Sequence, residues 1–329
     1  MPRYRSLSIE EDARSYPHGR ELIAQFDDRP VVRIDSYHEV FSRPGQDFQA
    51  QKRAPSLIAA VGTPPFLYDA PVRVRGCSEL PVLYNDQLRN CEFNCDYCFL
   101  QGMHASGHTL VFVNSADYHA AAAARSRDGA YWLSISYLTD ALAFEPTLPL
   151  VSEWIAFART LSGITLEVRT KSAGRELPRG APASNVVFTW TVSPELIASR
   201  FESGCASLSR RLLALRTAAD RGWRTRIAID PVVLVPEWKD GYTRMIATVF
   251  EVVRPESIEA ATYGVFRIGA DYMARMTSAR GDAPLLHHPF TRDGRTVTYS
   301  PTEIDAVHDV VGTALRRRLG DAKVDFVHG

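Results

Sequence analysis

Between Arg89 and Gln101 the chain reads Arg-Asn-Cys-Glu-Phe-Asn-Cys-Asp-Tyr-Cys-Phe-Leu-Gln. Cys91, Cys95 and Cys98 therefore stand in a C-x3-C-x2-C spacing, directly after the apolar run Val82-Leu83-Tyr84. Three thiolates on so short a loop can converge on three corners of a cube and leave the fourth corner without a protein ligand. Cysteine thiolates hold iron–sulfur clusters, and an open coordination position on a metal site is where chemistry takes place. A structural zinc site instead closes its tetrahedron with a fourth Cys or His, commonly from a second ligand pair. His104 and His108 could supply that ligand, but the chain holds no second C-x2-C. Three of the five cysteines fall within eight residues, which argues against a reading of them as small buried hydrophobes.

The rest of the chain has to build a scaffold around that loop. Its 329 residues suffice for one large α/β barrel-type domain or two ordinary ones. The 38 basic and 38 acidic residues cancel, so the chain lacks the positive field of a dedicated nucleic-acid binder. No apolar run reaches membrane-spanning length, and the first residues, MPRYRSLSIEEDARSY, lack the apolar core of a signal peptide. A cytoplasmic protein is expected, with clustered cysteines serving as metal ligands and not as disulfides.

Residues 1–75 read as an N-terminal extension with a short strand at Val31-Val32-Arg33-Ile34 and a breaker at Gly62-Thr63-Pro64-Pro65. From 76 to 270 apolar runs alternate with helical patterns. Strands are expected at 82–84, 110–113, 131–137, 164–169, 186–191, 225–235 and 262–268. Helices are expected over 117–125, over 152–161 with Ser152 as cap, from Ser193-Pro194-Glu195, and over 208–221 and 242–253. Residues 271–329 form a C-terminal segment ending in a helix over 302–319, capped by Thr302. Alternating strands and helices imply parallel βαβ units, and about six of them suggest an incomplete barrel.

Functional groups of such barrels sit at the C-terminal ends of the strands. Thr139 and Asp140 follow one strand, Lys171 the next, Thr191 and Ser193 the one after, and Asp230 lies near the end of a fourth. Each has a bland alternative: a strand-end Thr or Ser commonly caps a helix, and Asp before Pro commonly turns the chain. Together they fall on one predicted rim beside the cysteine loop.

Cys-Asp-Tyr-Cys-Phe-Leu-Gln-Gly-Met, Phe112-Val113-Asn114, Thr139-Asp140, Arg169-Thr170-Lys171 and Phe201-Glu202-Ser203-Gly204 together resemble the spore photoproduct lyase family of the radical S-adenosylmethionine (SAM) superfamily. The resemblance spans about Val31 to Ile268. It implies a partial (β/α)6 barrel of TIM type, a [4Fe–4S] cluster on Cys91, Cys95 and Cys98, and SAM bound across the barrel mouth. It also implies that Tyr97 packs near the adenine and that Thr139 and Asp140 approach the polar groups of SAM. Lys171, Thr191 and Ser193 fall at SAM-contacting positions, the last two with altered residue type. Asp140 and Lys171 are the groups to meet the ribose hydroxyls and the carboxylate, and Asp230 joins the same rim.

Departures from the family pattern bear on the substrate. The lyase returns hydrogen from a cysteine just before the Ser-Asp that corresponds to Thr139-Asp140, and this chain has Tyr137-Leu138 there. The second tyrosine of the lyase's Tyr-Cys-Tyr is Phe99. The expectation is a radical SAM enzyme that reductively cleaves SAM and acts on something other than a thymine dimer. Tyr137 and Cys205 are the substitute candidates for the missing thiol, Cys205 because it follows Gly204 near a predicted helix start. A radical SAM enzyme of arsinothricin biosynthesis is broadly similar in size and cysteine motif. That similarity implies an alternative, transfer of a 3-amino-3-carboxypropyl group to trivalent arsenic with Cys77 or Cys205 as binding thiol. Thymine-dimer repair and a non-catalytic metal-binding protein are the other readings. The expected partners are a small-molecule substrate and an external electron donor of flavodoxin or ferredoxin type, without nucleic acid or membrane. His287-His288 before Pro289 reads as surface or packing.

Overall fold

A computed structural model describes residues 4–71, 79–175 and 177–327; Cys77 lies outside them. Its main sheet has eight strands: β1 (Leu67–Asp69), β2 (Val82–Asn85), β3 (Tyr131–Ser134), β4 (Ile164–Thr170), β5 (Val186–Thr191), β6 (Arg224–Val232), β7 (Ile258–Val265) and β8 (Val324–Phe326). They lie side by side in chain order. β1 runs antiparallel to β2, and every later pair is parallel. The fold is α/β, and β2 to β7 are the six strands of a partial TIM-type barrel, with β8 added in parallel at the far edge.

Residue type explains why these runs are strands. Parallel strands are covered on both faces and so read as continuous apolar text. All six residues of β5, Val-Val-Phe-Thr-Trp-Thr, are buried, as are all four of β3. Helices Ser115–Ser126, Leu150–Ala158, Leu208–Asp220 and Trp238–Val252 connect the strands. Among the described residues no helix joins β4 to β5.

A second sheet has the order Val31–Ile34, Leu7–Glu10, Leu57–Ala60, Thr109–Phe112, Leu88–Arg89. Its first four strands are parallel and the last is antiparallel. Residues 1–75 thus supply three strands to a sheet completed by segments on either side of the cysteine loop. Both ends of that loop are rooted in this sheet. At the other end of the chain, Arg267–Gly269, Thr291–Asp293 and Thr296–Thr298 make a three-stranded antiparallel sheet.

Three expected helix caps differ. The helix expected from Ser152 begins at Leu150, because the Glu145 carboxylate accepts the amides of Val151 at 2.7 Å and Ser152 at 3.0 Å. Ser193 does not cap the next helix; Pro194 stands at its N-cap, without a side-chain hydrogen bond. The last helix is capped by Ser300, not Thr302, in a capping box with Glu303 and with Pro301 in the first turn. That helix also passes through a π turn at His308–Gly312.

Candidate active site

The cysteine loop is held from three directions. At its start Asn90 turns the chain with a φ of 68°, a left-handed conformation that asparagine tolerates better than most residues. The Asn90 amide donates to the carbonyls of Ser106 and His108, both at 2.9 Å, and its Oδ1 accepts from the Cys91 amide at 2.9 Å. From the N-terminal side the helix Phe48–Arg53 reaches in. Lys52 Nζ donates to the Cys91 carbonyl, and Gln49 Oε1 accepts from Asn94 at 3.0 Å. From the far side, Asn94–Cys95 pairs antiparallel with Glu202–Ser203, and the Asp96 amide donates to the Phe201 carbonyl at 2.8 Å.

The C-terminal strand ends and this loop enclose a cavity of about 410 Å³. Cys91, Cys95 and Cys98 line it together with Tyr97. Tyr137, Thr139, Asp140, Lys171, Thr191 and Asp230 line it as well. Ser193 and Cys205 are not on the wall. The Ser193 hydroxyl donates to Glu202 at 2.8 Å, and the Cys205 sulfur lies 3.5 Å from that of Cys95.

The rim carboxylates differ in how far they are already committed. Asp140 caps the short helix Ala141–Phe144 through the Ala143 amide at 3.0 Å. It also accepts from the Thr170 hydroxyl at 2.8 and 3.0 Å and from the Lys171 amide at 2.7 Å. Burial raises its pKa against those hydrogen bonds. Its carboxylate ties the end of β3 to the end of β4. Asp230 is held in a two-pronged pair with Arg267, at 2.8 and 3.1 Å. Burial pushes the Asp230 carboxyl up, but Arg267, with Arg169 and Lys171, holds it below its ordinary value.

The hydroxyls tell a different story. Ser136 Oγ and Thr139 Oγ1 are buried without a partner among the described residues. Buried polar atoms are normally paired, so two orphans at one rim are what a polar ligand would satisfy. Lys171 Nζ stands 5.0 Å from the Tyr97 ring centroid, within cation–π range. Three thiols, two unpaired hydroxyls and an ammonium line one cavity, the donor set that a cubane cluster with a zwitterionic cofactor beside it calls for. His104 and His108, the candidates for a fourth zinc ligand, do not line the cavity with the thiols. His108 Nδ1 accepts the Ser56 amide at 3.1 Å, and burial drops its pKa to about 4. His104 packs on Phe41 and falls to about 3, chiefly by burial. His287 and His288 are engaged by the Gly281 carbonyl and Glu303.

Some of the wall was not anticipated. Glu167 and Arg169, at alternate positions before the expected Lys171, also line the cavity; their period of two was available in the sequence. Arg267 and Tyr272 also line it; Arg267 falls inside the last expected strand but sits on the separate strand Arg267–Gly269, and Tyr272 lies on the helix Ala270–Ala279 beyond it.

Comparison with known proteins adds three findings. The family model described as spore photoproduct lyase matches residues 4–275. A spore photoproduct lyase from Geobacillus sp. (strain Y412MC61) is 23% identical over 307 residues, covering 90% of this chain and 83% of its own length. Among solved structures, a spore photoproduct lyase variant superposes with a TM-score of 0.83 at 17% identity, covering 99% of this chain and 98% of its own. Another variant, with bound AdoMet and dinucleoside spore photoproduct, gives 0.81 at the same identity and coverage. At 17% identity these superpositions speak for the fold alone.

Proposed function

The chain belongs to the spore photoproduct lyase family of radical SAM enzymes, with a [4Fe–4S] cluster and SAM as cofactors, and from that premise we propose that its substrate is not a thymine dimer. Family membership removes the non-catalytic metal-protein reading. The observation that carries the proposal is the missing thiol at Tyr137-Leu138, the place where the lyase pattern has its hydrogen-returning cysteine. Tyr137 lines the cavity, whereas Leu138 is 4% exposed and does not. Among the described residues no thiol lines that wall except the three of the loop.

What the bound cofactor pair supplies is one-electron cleavage of a carbon–sulfur bond of SAM. In this reading Cys91, Cys95 and Cys98 hold the cluster. Thr139 offers its unpaired hydroxyl to SAM, and Lys171 offers its ammonium to the SAM carboxylate. Tyr97 and Thr191 flank the same ligand. Asp140, with its lone pairs engaged, fixes the rim on which Thr139 and Lys171 sit. Phe93, Phe99 and Phe266 give the cavity an apolar side that keeps water from a reactive intermediate. Tyr137, its ring 5.7 Å from Phe99 and 4.4 Å from Tyr84, is the wall residue facing the substrate. Burial raises its phenol to about 12, so it stays protonated at neutral pH. Cys205, off the wall, is not a hydrogen donor in this scheme. The partners are a small-molecule substrate and an external one-electron donor. No helix of the described residues is long and apolar enough to cross a membrane.

Anaerobic protein reconstituted with about four irons per chain, given SAM and dithionite, should release 5′-deoxyadenosine, and Cys95→Ala should abolish release. Beside a genuine lyase it should restore no thymine from dinucleotide spore photoproduct. Comparable thymine yields would overturn the substrate proposal. Methylthioadenosine in place of 5′-deoxyadenosine would point to the aminocarboxypropyl route, with trivalent arsenic as the first acceptor to try.

A further inference from the structure

Behind the cysteine loop, away from the cavity, sits an ion pair that the proposed chemistry leaves unused. The side chains of Glu202 and Arg211 are both 0% exposed. Arg211 Nη2 donates to Glu202 Oε2, and Oε1 accepts from the hydroxyls of Tyr97 and Ser193. Two further guanidinium nitrogens donate to a strand end and a loop, Nη1 to the Thr191 carbonyl at 3.2 Å and Nε to the Ala206 carbonyl at 2.7 Å. The Ala206 amide in turn donates to the Lys171 carbonyl at 3.2 Å. One buried node therefore touches the ends of β4 and β5, the Tyr97 phenol between Cys95 and Cys98, and, through Tyr97's ring, the Lys171 ammonium.

A buried ion pair is an inefficient way to add stability, because desolvating two charges cancels most of their attraction and an apolar pair of similar volume does as well. This pair is also not placed at random in the core. Its backbone pairs residue for residue with the cluster ligand, Glu202 opposite Cys95. We propose that Glu202 is a positioning residue for the cluster: through Tyr97 it fixes the cysteine loop, and its negative charge offsets Lys171 and Arg211 beside the metal. The proposal rests on the cluster reading of the three cysteines.

Net charge and hydrogen bonding around a cluster set its potential. Removing an anion beside it favours the added electron, so Glu202→Gln should raise the midpoint potential. The holoenzyme of wild type, Glu202→Gln, Glu202→Asp and Tyr97→Phe would be compared by iron content, EPR-monitored redox titration and hydrogen exchange of peptides covering residues 91–101. Glu202→Gln should keep its iron, titrate at a higher potential and exchange faster over the loop. Glu202→Asp keeps the charge but shortens the reach, so its potential should return to the wild-type value while exchange stays fast. Tyr97→Phe should exchange faster at nearly unchanged potential, and it carries the test should Glu202→Gln fail to fold. Wild-type potential in Glu202→Gln, or wild-type exchange in Tyr97→Phe, overturns the proposal and leaves a core ion pair. Failure of the wild-type protein itself to load iron strikes the cluster reading instead.

Discussion

The molecule contains two largely parallel sheets that handle polarity in opposite ways. In the N-terminal sheet Leu7, Ile9, Leu57, Ile58, Ala59, Ala60, Leu110 and Val111 are fully buried, and the polar groups at its strand ends are spent. The Glu10 carboxylate accepts the amides of Tyr37 at 2.7 Å and Val61 at 3.0 Å. The Asn114 amide exchanges two hydrogen bonds with the backbone of Gly62, at 2.8 and 3.0 Å. At the cavity end of the main sheet, by contrast, Ser136 Oγ, Thr139 Oγ1 and Arg169 Nε are buried without partners. One sheet has closed its polar accounts and acts as an anchor for the cysteine loop. The other leaves polar groups open at its cavity rim, where a ligand could satisfy them.

Mutation can separate the two. Leu57→Ala, in the middle of the anchoring sheet, removes fully buried methyls and should cost about 2–5 kcal/mol of stability, read as a lowered denaturant midpoint. SAM affinity of the molecules that remain folded should not change. Thr139→Val should do the reverse. It deletes a hydroxyl with no protein partner, so stability should hold or rise slightly. SAM binding by calorimetry should weaken by about 1 kcal/mol, roughly fivefold. If Thr139→Val destabilises the fold and leaves SAM affinity intact, the contrast between the sheets is wrong.

The smallest effect is expected where the two regions meet. His18, on the helix Pro17–Gln25, reaches Glu153 at 2.9 Å and Ser115 at 3.1 Å. Burial alone would lower its pKa, but Glu153 and Glu21 more than offset this, and the folded value lies above 6.5. A raised pKa means that stability from the charged imidazole is fully present below the unfolded value and is lost as pH rises through the folded one. Urea midpoints of the wild type should therefore fall on passing upward from pH 6.5, and those of His18→Gln should fall less. Parallel curves would remove this histidine from the seam.

How much of this was readable depended on range. Strands β2 to β7 of the main sheet were legible because they are mostly buried and apolar; Leu67–Asp69 and Val324–Phe326, three residues each and largely unburied, were not. Leu7–Glu10 and Leu57–Ala60 were not read. Ser152 looked like a cap, but the acceptor came from Glu145, seven residues earlier and across a loop. The cluster loop was legible because its ligands sit within one turn of chain. The rim was only partly so: side-chain direction is fixed by alternation inside a strand and lost once the strand ends, and Ser193 accordingly turns away from the cavity to meet Glu202. Glu202 itself was visible as a letter in a motif, but its partner Arg211 is nine residues away and their joint burial is a tertiary fact.

The buried pair also constrains how this sequence can change over generations. Losing either Glu202 or Arg211 strands the other charge in the interior, a penalty of roughly 3–5 kcal/mol, a large fraction of the stability of an ordinary domain. Replacing both with apolar residues can be close to neutral for folding. The single substitutions are therefore a valley between two viable peaks. A lineage leaves this arrangement by a paired exchange, or after other positions have accumulated enough spare stability to survive the crossing.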